Sequence, residues 1–191
     1  MQIKITNNMK TLKQLFFSTG LFLLSMSSQA QDATALLKKV KAIMDKVDDY
    51  VATGSMKTNV TFLKVPEAEV KIYFKKPNKL KIKNEKGISF VPKGAVSINL
   101  SSILNGNDYT IIDAGVDKIG GVAVRVIKLL PLDDNADVVL STLYIDAANN
   151  TIKRAKTTTR LHGSYQLEMS YGKYVGYGLP DKIIFTFNTK D

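Results

Sequence analysis

The 191-residue sequence contains no cysteine, no tryptophan and a single histidine. Without cysteine the chain can form neither a disulfide nor a thiolate metal site, so its core must stabilise the fold alone. A bacterial lipid anchor also needs a cysteine directly after the export signal, so we expect no such anchor. The one histidine, His162, stands beside Gly163, and we expect it in a surface hairpin turn rather than in a catalytic triad.

Other signatures of chemistry are missing as well. No serine lies in a G-x-S-x-G motif, and no H-E-x-x-H motif or glycine-rich phosphate loop occurs. Asp133, Asn135 and Asp137 are spaced like the first ligands of a calcium loop. However, Val138 replaces the turn glycine and Tyr144 the last carboxylate, so a polar hairpin turn is expected. The sequence therefore predicts no catalytic residue, no metal site and no cofactor, and we do not expect an enzyme.

The first 30 residues have the features of an export signal. Lys4, Lys10 and Lys13 precede an apolar stretch over residues 15–28, and the first 30 residues contain no acid. Ser28-Gln29-Ala30 then offers a small-x-small cleavage site. The apolar stretch is shorter than the roughly 20 residues that cross a bilayer. We therefore predict a signal peptide over 1–30, with Met9 as an alternative start. The mature part, 31–191, is expected to be one soluble domain in the periplasm.

Charge and length limit the partners of the mature chain. The predicted signal holds 3 of the 27 basic residues and none of the 17 acids, which leaves 24 basic and 17 acidic residues, a net charge of +7. A domain of this length buries about 70% of its unfolded surface. No later segment is long and apolar enough to span a membrane. Nucleic acid is not an expected partner of an exported protein.

Apolar periodicity predicts one long helix at the start of the mature chain. Its apolar residues recur at steps of three and four, which is typical of a helix with one buried side. They are Leu36, Leu37, Val40, Ile43, Met44, Val47 and Val51.

After the helix the period changes to two, which predicts half-buried antiparallel strands. Short turns between successive strands favour an up-and-down meander. The segment 91–107 is less regular and is expected to contain a short helix near 100–104. The sequence therefore predicts a mainly β fold with one long N-terminal helix. The predicted strands are 56–62, 70–75, 79–83, 109–113, 122–132, 138–146, 152–161, 165–174 and 183–187.

The segment 57–93 is strongly basic, with ten lysines and three acids. Its lysines alternate with apolar residues, so they are expected on one face of a sheet. That face could attract anionic lipid headgroups or an acidic partner. It could equally be a solvated face whose lysines protect an edge strand.

The opposite, apolar face of the sheet has two interpretations. One helix could fill it completely, which would make an ordinary core. A strongly curved sheet would instead enclose a cavity of the size of a lipid. The residues assigned to this face and to the helix that covers it are Val40, Ile43, Met44, Val47, Phe62, Ile72, Phe74, Leu80, Tyr144, Leu167, Met169, Phe185 and Phe187.

Several segments, in order along most of the mature chain, resemble the periplasmic lipoprotein carriers of the LolA type. The opening helix is followed by a segment similar to the "v-K-R-P-n-x-F" strand and turn of that family. Later segments resemble its "L-x-P" strand, its "i-x-i-D-x-x-g-x-i" hairpin and its closing strands. The matching segments are Phe74–Leu80, Ile127–Pro131, Leu143–Ile152, Gly163–Leu167 and Leu179–Phe187.

The resemblance implies a strongly curved, unclosed antiparallel β-barrel that is capped by helices over an apolar cavity. It implies a monomeric carrier that binds acyl chains of outer-membrane lipoproteins, or another lipid, and exchanges them with membrane donor and acceptor proteins. Lys76 stands where the family has the arginine that helps to hold the helical lid, so it keeps the charge but not the fork of donors. Two departures concern the cargo: tryptophan is absent, and the segment 80–109 lacks the family's aromatic strand.

Two functions therefore remain open from the sequence. The first is a periplasmic carrier of acyl chains. The second is an envelope sensor or scaffold that uses the same fold to bind protein partners. A completely filled sheet interior would favour the second function, and so would a wide apolar groove with no continuous cavity.

Overall fold

The structure is a computed structural model, and it describes residues 32–57, 59–60, 63–64, 66–76, 79–87, 109–161 and 163–188. The predictions for the signal over 1–30, the helix near 100–104, Phe62 and His162 fall outside these ranges, as does the side chain of Phe187. They stay predictions.

One α-helix, α1, covers residues 32–44 of the described chain. The prediction of a helix over 36–51 was wrong at its C-terminal end, because Asp49–Met56 forms the strand β1 instead. In β1, Val51 lies directly opposite Tyr73 of a neighbouring strand. Cross-strand pairs of aromatic and β-branched side chains stabilise such pairing, which a local three-and-four spacing cannot reveal.

A small antiparallel sheet follows the helix. It contains β1, β4 (Ala68–Lys75) and β5 (Lys79–Lys86), with β4 in the centre. Between β1 and β4, two short strands, β2 (Asn59–Val60) and β3 (Leu63–Lys64), pair with each other. The predicted strand over 56–62 is therefore divided between β1 and β2.

A larger antiparallel sheet of six strands forms the rest of the described chain. Every strand pairs with the next one along the chain, which confirms the predicted meander, and β6 and β11 occupy opposite edges of this unclosed sheet. A 3₁₀ turn at Val175–Tyr177 connects the last two strands. The strands are β6 (Tyr109–Ile119), β7 (Val122–Pro131), β8 (Val138–Asp146), β9 (Thr151–Thr159), β10 (Ser164–Ser170) and β11 (Lys182–Asn188).

The hydrophobic core lies between α1 and the six-stranded sheet. On the helix, Ala33 is 0% and Val40 is 1% exposed. Burying a large aliphatic side chain completely contributes about 1.5–3 kcal/mol, so this contact is a main source of stability. The sheet residues in this cluster are Ile127, Leu129, Leu143, Ile145, Ile152, Ala155, Leu167 and Met169. Among the described residues we find no helix with the length and hydropathy that a bilayer crossing requires.

Candidate functional site

The three-stranded sheet has one apolar side, here called the apolar face, made of Tyr50, Ile72, Phe74, Leu80 and Ile82. The strand register puts Tyr50, Phe74 and Leu80 in one row, and Ile72 and Ile82 in the next. The rings of Tyr50 and Phe74 stack with centroids 5.2 Å apart. All five side chains are half-buried, whereas the core beside α1 is buried. The sheet thus brings the predicted contacts Ile72, Phe74 and Leu80 together on a partly accessible apolar surface.

A second group of predicted contacts lies between α1 and the six-stranded sheet. Leu167 and Met169 are buried there, and Phe185 packs against the same cluster. On α1 itself, Val40 is buried on the side that packs against the sheet, whereas Met44 is half-buried at the C-terminal end of the helix. Ile43 is half-buried and Val47 is buried just after the helix. Val40, Leu167 and Met169 of this second group are enclosed between α1 and the sheet.

Tyr144 does not join the second group. Its neighbours Leu143 and Ile145 point into the core, so the alternation of a strand directs Tyr144 to the opposite face of the sheet. There the Arg154 guanidinium lies 5.4 Å from the ring centroid, and Arg154 pairs with Glu168 at 2.8 Å. The six-stranded sheet therefore separates Tyr144 from the second group.

Lys76 lies at the end of β4, beside the C-terminal end of α1. Its Nζ donates a hydrogen bond to the carbonyl oxygen of Asp45 and another, 3.0 Å long, to Oδ1 of Asp48. A cation at this end of a helix is favoured by the helix dipole. The Asp48 side chain is 89% exposed. Exposed ion pairs contribute only about 0.2–1 kcal/mol, so this contact fastens the helix end weakly.

The 3₁₀ turn after β10 also covers the end of α1, which the sequence did not predict. Gly178 has φ +65°, and a Cβ atom at this position would lie 3.2 Å from Cγ of Met44 and 3.3 Å from Cγ2 of Ile43. The Lys46 Nζ donates to the carbonyl oxygen of Gly176 at 3.4 Å. The available signal in the sequence is the glycine directly before Leu179-Pro180.

At the other end of α1, Arg125 and Asp113 form an ion pair that sequence reasoning also missed. The Arg125 Nε donates to both carboxylate oxygens of Asp113 at 3.1 and 2.9 Å, and its Nη2 donates to Oδ2. The Gly115 N–H donates to Asp113 at 2.8 Å. The guanidinium also lies 3.8 Å from Asp32, near the start of the described helix.

This ion pair changes the acidity of Asp113. Burial by itself raises the pKa of the Asp113 carboxyl. The hydrogen bonds from Arg125 and Gly115 and the guanidinium charge outweigh burial and hold that pKa below its ordinary value. The pair is therefore charged at neutral pH and stabilises the sheet under the start of α1.

The candidate site among the described residues is the apolar face. Within the described ranges, no group of three or more His, Cys, Asp or Glu side chains is placed to hold a metal ion. Asp133, Asn135 and Asp137 lie in the turn between β7 and β8, where the Asn135 N–H donates to Asp133 at 2.9 Å.

No protein-family model and no curated protein matches this sequence. Solved structures match in fold. A LolA superfamily protein from Nitrosomonas europaea is 14% identical and has a TM-score of 0.53, with coverage of 83% of this chain and 86% of its own. A DUF1329 family protein from Desulfovibrio piger is 13% identical and also scores 0.53, with coverage of 73% and 78%. At this identity the comparisons show the fold alone: the chain has a LolA-like fold, as the motifs predicted.

Proposed function

We propose that this protein, with its LolA-like fold, is an exported carrier in the periplasm that holds acyl chains of lipoproteins or of another lipid. It would move them between membranes without covalent chemistry and without a cofactor or lipid anchor. The predicted export signal, the family-like motifs and the fold support this proposal together. The observation that carries it is the apolar face, where five neighbouring apolar side chains remain half-buried.

The expected affinity suits a carrier. Each methylene that leaves water contributes about 0.8 kcal/mol, so one long acyl chain could contribute roughly 10 kcal/mol before ordering costs. Such a chain would be retained in transit, but a rigid closed site would release it slowly. A movable element beside the apolar face would solve this problem, since it could lower the affinity when it opens.

The helix α1 is the candidate for this movable element. Its C-terminal end is held by Lys76 through contacts with Asp45 and the exposed Asp48. These contacts lie at the junction where the chain passes from α1 into β1, close to the apolar face. Their small contribution means that the helix end could detach at low cost, while the core beneath Val40 would hold the rest of the helix.

A scaffold or envelope sensor remains a second candidate function, and one observation favours it. The side of the six-stranded sheet beneath α1 is filled by the helix, with Ala33, Ile127, Leu143 and Ile145 all 0% exposed. If α1 stays in place, this part of the interior has no room for a ligand. The protein would then present its surfaces to partner proteins instead.

Native mass spectrometry distinguishes these functions. The protein is purified from the envelope fraction of its own cells, and its intact mass is measured before and after denaturation. The carrier predicts a stoichiometric lipid or acylated peptide that leaves on denaturation. A protein that carries no lipid, and whose folded form binds no hydrophobic dye, would eliminate the carrier. Co-purifying proteins without lipid would support the scaffold.

A further inference from the structure

The outer side of the three-stranded sheet carries a dense set of positive charges. We call it the lysine face, and it consists of Lys71, Tyr73 and Lys75 on β4 with Lys79, Lys81 and Lys83 on β5. It lies opposite the apolar face, because successive side chains of a strand point to opposite sides. Four of its five lysines are exposed, and Lys71 is half-buried. Three carboxylates border this side: Asp49 lies opposite Lys75, Glu69 lies opposite Lys86, and Glu85 follows Lys83 by two residues on β5.

The arrangement of these lysines costs stability in the isolated protein. The register puts Lys71 directly opposite Lys83, and Lys75 directly opposite Lys79. Like charges in directly opposed positions of two antiparallel strands destabilise the pairing. Among the described residues, none of the five lysines has a carboxylate within ion-pair distance. An anionic partner outside the chain would relieve this repulsion.

Protection of an edge strand does not account for the whole face. β5 lies at the edge of its sheet, and lysines on an edge strand prevent unwanted pairing with other chains. That explanation covers Lys79, Lys81 and Lys83. It does not cover Lys71 and Lys75, because β4 is the central strand and has neighbours on both sides.

The apolar residues within the face indicate what kind of surface it meets. The Tyr73 ring lies between Lys71 and Lys83, whose Nζ atoms are 5.7 and 5.6 Å from its centroid. Beside it on β1, Val51 is 60% exposed. Tyrosine is enriched where membrane meets water, since its ring is apolar and its hydroxyl polar. Basic side chains around a tyrosine and an exposed aliphatic residue fit the headgroup region of a bilayer.

The use of lysine rather than arginine also favours a membrane surface over an acidic protein. Arginine presents a rigid fork of donors that suits the carboxylates of an acidic protein, whereas lysine is a flexible point charge. Every basic residue of the lysine face is a lysine, and none is an arginine. A row of point charges on long stems matches a fluid surface of phosphate groups better than it matches fixed carboxylates.

We propose that the lysine face docks the protein on the surface of an anionic phospholipid bilayer, with Tyr73 and Val51 at headgroup level. This docking is independent of acyl-chain binding, because it uses the opposite side of the sheet. Each lysine near an anionic membrane adds about fivefold to the affinity. The attraction should weaken sharply with salt, since the screening length falls from about 10 Å at 0.1 M to about 3 Å at 1 M.

Co-sedimentation with lipid vesicles tests the proposal. The purified protein is mixed with vesicles of phosphatidylcholine alone, or of equal parts phosphatidylcholine and phosphatidylglycerol. We expect binding to the mixed vesicles at low salt, little binding to phosphatidylcholine, and release at high salt. The variant K79Q/K81Q/K83Q should bind the mixed vesicles about a hundredfold more weakly, because three fivefold losses multiply.

The matched control removes the same charge elsewhere. Lys118, Lys156 and Lys182 are exposed and lie on the six-stranded sheet, so K118Q/K156Q/K182Q should keep most of the binding. Equal losses in both triple variants would overturn the proposal in favour of unspecific attraction by net charge. Absence of vesicle binding, with lysine-dependent binding to poly-glutamate, would overturn it in favour of an acidic protein partner. Thermal unfolding of each variant verifies that it is folded.

Discussion

Asp113 and Arg125 show how single residues hold the sheet beneath the start of α1. The Asp113 side chain is only 6% exposed, yet it is charged, because Arg125 and the Gly115 N–H donate hydrogen bonds to it. Such a pair is costly to break from one side, since the remaining charge stays partly buried. The sequence could not reveal it, because the two residues meet only through the register of β6 and β7, which shifts between Asp113 and Val116.

Replacing Asp113 with asparagine should lower the free energy of unfolding by about 2 kcal/mol at neutral pH. It should also change the response to acid. The folded-state pKa of Asp113 lies below its ordinary value, so the unfolded chain takes up the proton first. The wild-type protein therefore loses this stabilisation as the pH falls from about 4 through the folded-state pKa of Asp113. Urea unfolding across this pH range measures the effect, and the variant should have a smaller slope.

Asp134 supplies the control, because it is exposed and lies in the turn before β8. Asp134→Asn should follow the wild-type curve to within about 0.5 kcal/mol. If Asp113→Asn also follows that curve, the ion pair does not stabilise the fold.

Tyr144 marks a limit of sequence reasoning at this scale. Its strand reads Val-Val-Leu-Ser-Thr-Leu-Tyr-Ile-Asp, with apolar residues on both faces. Alternation then defines two faces but does not say which one is inside. Only the pairing with β7 and β9 shows that Leu143 and Ile145 enter the core and that Tyr144 faces Arg154.

At the scale of elements, the sequence predicted most strands but misplaced some of their ends, as it did the end of the helix. The limits predicted for β8 agree with the structure, and those of β7 and β11 differ by one residue at one or both ends. The prediction of a strand over 109–113 was too short, because β6 continues past an irregularity after Asp113 to Ile119, and the strand predicted over 165–174 ends at Ser170. Strand alternation and short polar turns are local signals, so they can be read without the fold. The end of α1 is decided by the distant pairing of β1 with β4. No local pattern contains that information.

Replacing Lys76 with leucine tests whether α1 opens at its C-terminal end. The variant loses the contacts with the Asp45 carbonyl and with Asp48. We expect a bound fluorescent fatty acid to dissociate faster, by up to about fivefold, because exposed contacts of this kind contribute at most roughly 1 kcal/mol. Stopped-flow displacement by excess unlabelled fatty acid measures the rate.

Lys75→Leu is the neighbouring control, because Lys75 is exposed on the lysine face, on the side of the sheet opposite the apolar face. It should leave the dissociation rate unchanged. The same rate in wild type and both variants would remove Lys76 from the release mechanism.

At the scale of the whole molecule, the three-stranded sheet has two sides of opposite character. One side is the half-buried apolar face, and the other is the lysine face. The sequence predicted this division, because lysine and apolar residues alternate along β4 and β5. It could not show that the surface beneath α1 is buried in a tight core, whereas the apolar face stays half-buried. That distinction depends on packing between distant segments.

Photolabelling tests the central claim, that an acyl chain lies on the apolar face, most directly. A fatty acid with a photoreactive diazirine in its chain is bound to the protein and irradiated, and the labelled residues are identified by peptide mass spectrometry. We predict one site per molecule, with label on Ile72, Phe74 or Leu80 and none on Val51 or Tyr73 of the opposite side. Label confined to the lysine face, or scattered over the surface without saturation, would contradict the claim.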